Sequence, residues 1–358
     1  MVTTGEEHKT ANSFQLDTEA VCIPLISSTG HGHASLKRVH YQLGKFALSN
    51  LLAAALVRDP SVLSTKFLAR YLMFTKDRLI VPLMTGAANM SISVDRLATV
   101  PVEFPPLAKQ EQIVRLLDEA DELRKLRIYA DRRSTALAAA VFHEMVGRHV
   151  KTPPVLLSLD GTTAPKGWRW SRLTDVARLA TGHTPSRRVP EYWEGGNIPW
   201  ISLTDIRAID GTVAQGTGQC VTEKGIANSS AVKLPKGTVC FSRTASIGFV
   251  TVMGREMCTS QDFVNWVCGN ELDPIYLMGA LMQARERLRS LATGSTHKTI
   301  YLSTVEQFSV LVPPLPLQNK FAARVTEIRE LEAAQATARH RVEDLFQSLE
   351  QRTFQGEL

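Results

Sequence analysis

The stretches FPPLAKQEQI (residues 104–113) and VPPLPLQNKF (residues 312–321) decide how this chain of 358 residues is organised. In each stretch a Pro-Pro-Leu is followed three residues later by Gln, between a strand-like run and a long charged helix pattern. Proline ends a strand because it lacks a ladder donor, and it fits the first turn of a helix. The same phrase in the same context predicts an internal duplication of the chain.

Further matches flank the two phrases in the same order. Thr85-Gly86 matches Thr293-Gly294, Ile92 matches Ile300, Val102 matches Val310, Val21-Cys22 matches Val239-Cys240, Ser28 matches Ser246 and Gly30 matches Gly248. Between its upstream and its downstream matches the first copy has about ten residues more than the second copy. Surface loops tolerate an insertion of this size. Each copy is expected to contain a strand, a Ser/Gly-rich turn, a helix, a Gly turn, a short strand and a long helix.

Two long helices are predicted, from about Lys109 to His149 and from about Leu317 to Phe354. Apolar residues recur every three to four positions in both, which is typical of an amphipathic helix. The first stripe contains Ile113, Leu116, Leu117, Ala120, Leu123, Leu126, Leu137, Val141, Phe142 and Met145, and the second contains Phe321, Val325, Ile328, Leu331, Val342, Leu345, Phe346 and Leu349. Because neither helix can bury its stripe alone, we expect the two to pair with each other through a coiled-coil seam.

Composition is that of an ordinary globular protein, with 44% hydrophobic and 21% charged residues and a net charge of +6. Five cysteines without a CxxC spacing indicate reduced, buried thiols rather than a zinc site or a disulfide framework. We see no apolar run long enough to span a membrane and no signal-peptide order at the N-terminus, so a cytoplasmic location is expected. The mild basic surplus is compatible with a polyanionic partner but is also common in proteins without one.

Several combined phrases carry a family resemblance. Residues 167–206, with GHTPS and YWEGGNIPW, resemble the opening of a target recognition domain of the specificity (S) subunits of type I restriction-modification systems. TGSTHKTI and VPPLPLQ resemble its close, while VFHEMVG (141–147) and LFQSLEQRTFQGEL (345–358) resemble the ends of that family's helical spacers. The resemblance covers nearly the whole chain apart from residues 1–20.

The resemblance implies an α+β fold in which two target-recognition-domain-like α/β units alternate with two long helices that pair as an antiparallel coiled coil. The expected segments are residues 1–107 (partial first recognition domain), 108–150 (first helical spacer), 151–315 (complete second recognition domain) and 316–358 (second spacer). No GxTPS…YW…IPW segment occurs in the first half, which has only 20 residues ahead of Val21. The first recognition domain is therefore expected to be incomplete, through truncation or a shifted start.

Three polar clusters are the candidate DNA contacts of the second recognition domain, because hydroxyls and guanidinium groups donate to phosphates and arginine reads guanine. They are His183, Thr184, Ser186, Arg187 and Arg188; Thr204, Arg207, Arg243, Thr244 and Ser246; and Thr296, His297 and Lys298. Each cluster taken alone also fits a solvated loop. The aromatic residues Trp168, Trp170, Tyr192, Trp193 and Trp200 are expected in the core rather than as base-stacking platforms, and Gly182, Gly195, Gly196 and Gly248 are expected to set turn geometry.

No catalytic set is found in the sequence. The Pro-Pro pairs are followed by Leu, unlike the catalytic phrase of adenine methyltransferases, and no phosphate-binding GxxxxGK[ST] loop occurs. His31 and His33 could suggest a metal, but without an acidic or cysteine partner nearby a loop pair is favoured.

The resemblance therefore implies a non-catalytic subunit that reads DNA and acts as a scaffold. Its implied partners are double-stranded DNA, methyltransferase (M) subunits and a restriction (R) motor-nuclease subunit, without a membrane. No cofactor is expected on this chain; S-adenosylmethionine, ATP and Mg are expected only on the partner subunits. Two alternatives stay open: a remnant or half-subunit that docks methyltransferase and works as a paired copy of itself, and a coiled-coil adaptor without a DNA role.

Overall fold

This computed structural model describes residues 1–5, 9–29, 33–87, 89–159, 162–294 and 298–354. Its contacts divide the chain into two compact units, Met1–Tyr129 with Ala336–Leu358, and Ala130–Gln335. The division cuts both long helices, and the four segment boundaries expected from the sequence stay a prediction.

The elements follow the order predicted from the duplication with one exception: the short strand expected before the first long helix is absent, because residues 100–106 pair with no strand in the described structure. The strands are β1 (Leu16–Pro24), β2 (His40–Phe46), β3 (Leu52–Ala55), β4 (Val155–Leu156), β5 (Arg169–Arg172), β6 (Ala177–Thr181), β7 (Ile198–Ile201), β8 (Val213–Ala214), β9 (Cys220–Val221), β10 (Val239–Ser242), β11 (Val250–Met253), β12 (Cys258–Thr259), β13 (Phe263–Cys268) and β14 (Ser309–Val312). The α-helices are α1 (Thr65–Leu79), α2 (Val94–Leu97), α3 (Leu107–Met145), α4 (Leu173–Val176), α5 (Leu203–Ala208), α6 (Glu223–Ala227), α7 (Pro274–Gln283), α8 (Arg285–Ser290), α9 (Leu302–Val305) and α10 (Leu315–Phe354). Short 3-10 turns occupy Val81–Leu83, Gly147–His149 and Pro190–Tyr192.

The first unit is built on an antiparallel sheet in the order β2-β1-β3. The central strand pairs Cys22 with His40 on one side and with Ala54 on the other. Helix α1 packs against β1 and begins after Ser64, whose hydroxyl accepts a hydrogen bond from the Phe67 N–H. The core of this unit includes Val21, Ile23, Phe67, Leu72, Ile113, Leu117 and Phe346.

The second unit is larger. Its main sheet has the order β6-β13-β10-β11-β8, in which β8 runs parallel to β11 and the other neighbours are antiparallel. Two smaller sheets have the orders β12-β7-β9 and β4-β14-β5. Helix α7 begins after Asp273, whose carboxylate accepts from the N–H groups of Ile275 and Tyr276. The main core joins the sheet to α7 through residues such as Phe241, Val264, Trp266, Tyr276 and Leu277.

The repeat seen in the sequence is also present in the hydrogen bonding of the two units. In the first unit, Ser91 forms isolated β-bridges with both Ile26 and Thr85. In the second, Thr299 forms the same two bridges with Thr244 and Thr293. The two units therefore share one framework around a central strand, β1 in the first and β10 in the second.

The glutamine of the repeated phrase explains why that phrase recurs. Gln110 is fully buried; its amide donates to the carbonyls of Val62 and Pro105, and its carbonyl accepts from the N–H of Ser64. The side chain thus joins the start of the long helix to the loop that begins α1. A buried polar group is stable only when its hydrogen bonds are satisfied, and all of these are.

The two long helices pair antiparallel within each unit, as the sequence predicted. In the first unit Arg124 of α3 donates to Glu343 of α10 at 3.0 Å. In the second unit, Ser134 donates to Gln335 at 2.7 Å, and the Phe142 ring lies edge-on to Phe321.

Several members of the predicted stripes are nevertheless exposed. Leu123, Leu126 and Leu345 are 57%, 62% and 70% exposed. One partner helix covers only part of an apolar face, so these side chains remain at the surface. None of the helices in the described part of the chain is long and apolar enough to cross a membrane.

Candidate nucleic-acid interface

Three loops leave the same end of the main sheet in the second unit. Strand β10 ends at Ser242, and antiparallel β13 begins opposite it at Phe263. Strand β6 is antiparallel to β13 and ends at Thr181, opposite Val264. The turn 243–249, the segment 259–262 and the loop 182–188 therefore lie at one edge, where three distant parts of the sequence meet.

The turn after β10 holds an arginine from α5. Arg207 donates through Nε and Nη2 to the hydroxyl oxygen of Ser246, at 2.8 and 2.5 Å. Ser246 is buried, whereas Arg207 is exposed. The hydroxyl thus fixes the direction of a guanidinium group that lies at the surface.

Gln261 connects the first cluster of candidate residues to the second. The hydroxyl of Thr184 donates to Gln261 Oε1 at 2.7 Å, and Arg243 Nη2 donates to the Gln261 carbonyl at 3.0 Å. The backbone N–H of Arg243 also donates to the Asp262 carbonyl. Gln261 was not predicted from the sequence; its only signal is its position two residues before β13, at the end of the sheet that carries the other loops.

Lys298 is joined to the same turn through the backbone. The Ala245 N–H donates to the Lys298 carbonyl at 3.2 Å, and the next residue, Thr299, forms the bridge to Thr244. Ala245 has φ of 56°, which is uncommon for a residue with a side chain. Such strain persists only where surrounding contacts impose it, and it accumulates at functional sites. Gly248, with φ of 86°, completes the turn.

Tryptophans brace the loop 182–188. The Arg187 guanidinium lies 3.7 Å from the centre of the Trp193 ring and 4.9 Å from that of Trp200. The Trp193 and Trp200 indole N–H groups donate to the carbonyls of Ser186 and His183, each at 3.2 Å. Burial lowers the pKa of Arg187, although arginine stays charged at neutral pH. Stacking and hydrogen bonding thus hold the loop and its cation in place.

The aromatic residues expected in the core are only partly there. Trp200 is buried, but Trp168, Trp170, Tyr192 and Trp193 are only partly buried, so the core assignment holds fully for one of the five.

Gly182 is constrained by a close backbone contact rather than by the geometry of a turn. A Cβ at Gly182 would lie 2.3 Å from the carbonyl oxygens of Thr259 and Ser260, so only glycine lets the loop pass this close to β12.

The predicted site residues differ in exposure. Ser186, Arg187, Arg188, Thr204, Arg207 and Lys298 are exposed; His183, Thr184, Arg243 and Thr244 are partly buried; Ser246 is buried; Thr296 and His297 lie outside the described residues. The structure brings members of all three clusters to one edge of the main sheet. An exposed row of hydroxyls and cations at such an edge can donate to phosphate oxygens and to base edges.

The first unit keeps the backbone of this edge but replaces three of its side chains. Ser27 N–H donates to the Met90 carbonyl, as Ala245 N–H does to Lys298 in the second unit. Leu25, Ile26 and Met90 of the first unit thus stand where the second has Arg243, Thr244 and Lys298. Apolar side chains cannot donate to phosphates, so the two units present different chemistry at equivalent positions.

Over the described ranges no group of three or more His, Cys, Asp or Glu side chains could hold a metal ion, and His31 lies outside those ranges. All five cysteines are free. Burial raises the pKa of Cys22 to about 11 and those of Cys258 and Cys268 to about 12, and it also raises the pKa of Cys240. Such thiols are poor nucleophiles at neutral pH.

This fold and this polar edge define a class of α+β proteins in which a duplicated unit is combined with two paired long helices. The sequence pattern described as "Type I restriction modification DNA specificity domain" matches residues 2–130 and 165–338. The chain belongs to this family. The crystal structure of the type I restriction-modification S subunit from M. genitalium has the same fold, with a TM-score of 0.62 at 15% identity over 98% of this chain and 87% of that one.

Curated relatives are similar over part of their length. The specificity subunit of the type I restriction enzyme MjaIX of Methanocaldococcus jannaschii is 29% identical over 169 residues, 47% of this chain and 39% of that protein. The HindI specificity subunit of Haemophilus influenzae is 23% identical over 214 residues, 58% of this chain and 46% of that protein. The chain thus spans less than half the length of these relatives in each match.

Proposed function

We propose that this chain is the DNA-reading specificity subunit of a type I restriction-modification complex and carries no catalytic site of its own. The observation that supports this most is the convergence of Thr184, Arg207, Arg243 and Lys298 at one edge of the main sheet. Phosphate contacts from the exposed cations position the duplex, while a fixed guanidinium reads a base edge in the major groove.

The reading role is divided among the edge residues according to their surroundings. Arg207, oriented by Ser246, is the candidate for bidentate contact with guanine, because such contact needs a fixed guanidinium. Arg188 and Lys298 are exposed and are the candidates for phosphate contacts. Ser246 is buried, so its role is to orient Arg207 rather than to touch DNA.

The partners in this proposal are double-stranded DNA, methyltransferase subunits and a restriction motor-nuclease subunit. The exposed leucines of the long helices, Leu123, Leu126 and Leu345, offer apolar surface for docking a subunit. Methylation and cleavage would belong to those partners, together with S-adenosylmethionine, ATP and Mg. The proposed location is the cytoplasm, where the DNA is.

A second candidate is favoured by the difference between the two units. Leu25, Ile26 and Met90 of the first unit replace Arg243, Thr244 and Lys298, although Ser28 keeps the position of Ser246. A chain with one such edge would read one half of a target, and two copies would read a symmetric one. The coiled-coil adaptor without a DNA role is the weaker alternative, because it gives no reason for the converging cations.

Co-expression with a type I methyltransferase subunit, followed by mapping of methylated adenines, tests the proposal. A split target with two different halves means that both units read DNA. A palindromic target supports paired copies that each use the second unit. A stable complex that directs no methylation, with no DNA binding by the chain, would contradict the proposal and leave the adaptor.

A further inference from the structure

A short basic helix packs on the turn that carries candidate DNA contacts of the second unit. Helix α8 (Arg285–Ser290) has the sequence RERLRS, with three arginines and one glutamate. Leu288 is 1% exposed and anchors the helix in the main core. The arginines of α8 are therefore carried by a helix whose position is fixed.

Two of these arginines lie against the turn itself. Arg289 Nε donates to the Ile247 carbonyl at 3.0 Å. The guanidinium groups of Arg285 and Arg289 lie 5.6 and 5.7 Å from the centre of the Phe249 ring. Gly248 suits this packing, because a Cβ there would be in tight contact with Arg285 Cγ, at 3.1 Å. The two arginine side chains therefore run along the second half of the turn.

The turn joins α8 to the polar edge. Arg207 donates to the hydroxyl of Ser246, and Arg289 donates to the carbonyl of the next residue, Ile247. After α8 the chain continues to Lys298, whose carbonyl accepts a hydrogen bond from the same turn. The basic helix and the polar edge therefore meet at one turn.

The three arginines differ in how far their charge is already paired. Arg285 donates to Asp210 at 2.8 Å, and because these side chains are only 20% and 19% exposed, their pair holds the helix in place. Arg289 pairs with Glu286, which is 86% exposed, and such surface pairs contribute little stability. Arg287 is exposed, and its side chain has no hydrogen bond or ion pair within the described part of the chain. Arg287 and Arg289 are thus available to an anionic partner.

The first unit contains the same basic pair. Twelve residues after Ser64, at the start of α1, the chain reads Lys76-Asp77-Arg78-Leu79. Twelve residues after Asp273, at the start of α7, it reads Arg285-Glu286-Arg287-Leu288. The pair is therefore present in the unit that has apolar residues at three positions of the polar edge. A surface that does not require those side chains fits a partner feature that is independent of base sequence, as phosphates are.

The helix dipole alone does not explain this arrangement. Cations in the last turn of a helix are favourable because its carbonyl end carries a partial negative charge. Arg289, however, donates to a carbonyl of the turn and not to one of its own helix. The dipole also acts on folding stability rather than on DNA binding, so the two roles can be separated by experiment.

We propose that α8 contacts the phosphate backbone of double-stranded DNA beside the bases read by the polar edge. Arg287 and Arg289 donate to phosphate oxygens, and Arg289 leaves Glu286 to do so. Arg285 keeps the helix against the turn through Asp210. These contacts carry no sequence information, but they fix the position of the duplex on the second unit. The inference rests on the proposed function, because it requires the chain to bind DNA.

The salt dependence of DNA binding tests this surface. Each phosphate contact contributes about 0.9 to the slope of log affinity against log salt, which is about a threefold to fourfold loss of affinity between about 50 and about 200 mM salt. Arg287→Gln should lower the slope by about 1 and weaken binding to specific and random duplexes by the same factor. Arg255→Gln, at an exposed arginine beyond the opposite end of β11, is the matched control and should keep the slope.

A scan of neutral phosphates locates the contact. In each duplex one phosphate is replaced by an uncharged methylphosphonate, and binding by the original chain is compared with binding by the Arg287→Gln variant. Replacement of the phosphate that Arg287 contacts should weaken binding by the original chain and leave the affinity of the variant unchanged. That phosphate should lie close to the base pair at which Arg207→Ala relaxes the preference, because α8 and Arg207 adjoin one turn.

Thermal unfolding of the same variants separates DNA contact from a structural role. Arg287→Gln should leave the unfolding midpoint unchanged, because the side chain is exposed and makes no contact that the described structure would lose.

Two results would overturn the inference and leave the proposed function intact. One is DNA binding by the Arg287→Gln variant with the salt slope of the original chain. The other is a lower slope that comes with a lower unfolding midpoint, since the substitution would then act through the fold. An original chain that binds no duplex at any salt concentration would remove the proposed function together with this inference.

Discussion

Gln110 and Gln318 make the same hydrogen bonds in the two units. Gln318 donates to the carbonyls of Glu271 and Pro313 and accepts from the Asp273 N–H, as Gln110 does with Val62, Pro105 and Ser64. Both side chains are fully buried. Each glutamine ties the start of a long spacer helix to the start of the helix that supports the sheet.

Replacement of either glutamine by alanine should destabilise its unit. The change removes the three hydrogen bonds of a buried side-chain amide, each worth about 0.5–1.5 kcal/mol. We expect a loss of about 2–4 kcal/mol in the free energy of unfolding for Gln110→Ala or Gln318→Ala, measured by denaturant titration. Gln307 is an exposed glutamine whose amide bonds only Ser303, and Gln307→Ala should change stability by less than about 0.5 kcal/mol. Equal effects at Gln307 and Gln318 would contradict this account of the repeated phrase.

Arg207→Ala should relax the target sequence rather than abolish DNA binding. If the guanidinium reads a base edge, its loss costs about 1–3 kcal/mol at one position of the target and leaves other positions unchanged. Ser246→Ala should act at the same position with a smaller effect, because the arginine remains but its direction is no longer fixed. Binding of a panel of single-base variants measures both. Effects of the two substitutions at unrelated target positions would argue against the orienting role of Ser246.

Gly182→Ala should displace the loop 182–188. The added methyl group would meet backbone oxygens of Thr259 and Ser260, which cannot move aside as a flexible side chain would. We expect DNA affinity to fall about tenfold or more, with loss of the Arg187 stack on Trp193 seen as a change in tryptophan fluorescence. Gly216→Ala is the control, because a Cβ there meets no atom within 4 Å.

Stability should depend on pH through Asp273. Burial raises the pKa of this carboxyl above its ordinary value of 3.8, although the N–H groups of Tyr276 and Ile275 oppose the shift. The folded chain then binds the proton of Asp273 more tightly than the unfolded chain does. Protonation therefore stabilises the fold below the ordinary pKa, and this stabilisation is lost as pH rises through the raised pKa. Asp273→Asn keeps the helix cap and removes that loss. The unfolding free energy of the variant, relative to the original, should therefore rise as the pH increases above the ordinary pKa of 3.8. A constant difference across that range would contradict the raised pKa.

The duplication and the paired helices could be predicted from the sequence because their signals are local. Pro-Pro-Leu with its Gln marks the start of a long helix in both units, and an apolar stripe needs only a period of three to four residues. The same stripe could not tell which of its leucines a single partner helix covers. Leu123, Leu126 and Leu345 are exposed for that reason.

The assembly of the candidate site was harder to predict. Arg207 and Arg243 were singled out by residue type, but Arg207 lies on α5 and joins the turn after β10 through Ser246, 39 residues further along the chain. Gln261 has no motif around it and was missed, although it connects Thr184 with Arg243.

The measurement that tests the central claim most directly is selection of duplexes from a random DNA library by this 358-residue chain. The predicted result is enrichment of a defined motif, with affinity that falls steeply with salt as counterions are released. A variant with Arg188→Ala, Arg207→Ala and Arg243→Ala should lose the enrichment, whereas Arg255→Ala, beyond the opposite end of β11, should keep it. No enrichment by the original chain, or the same motif from the triple variant, would contradict the account.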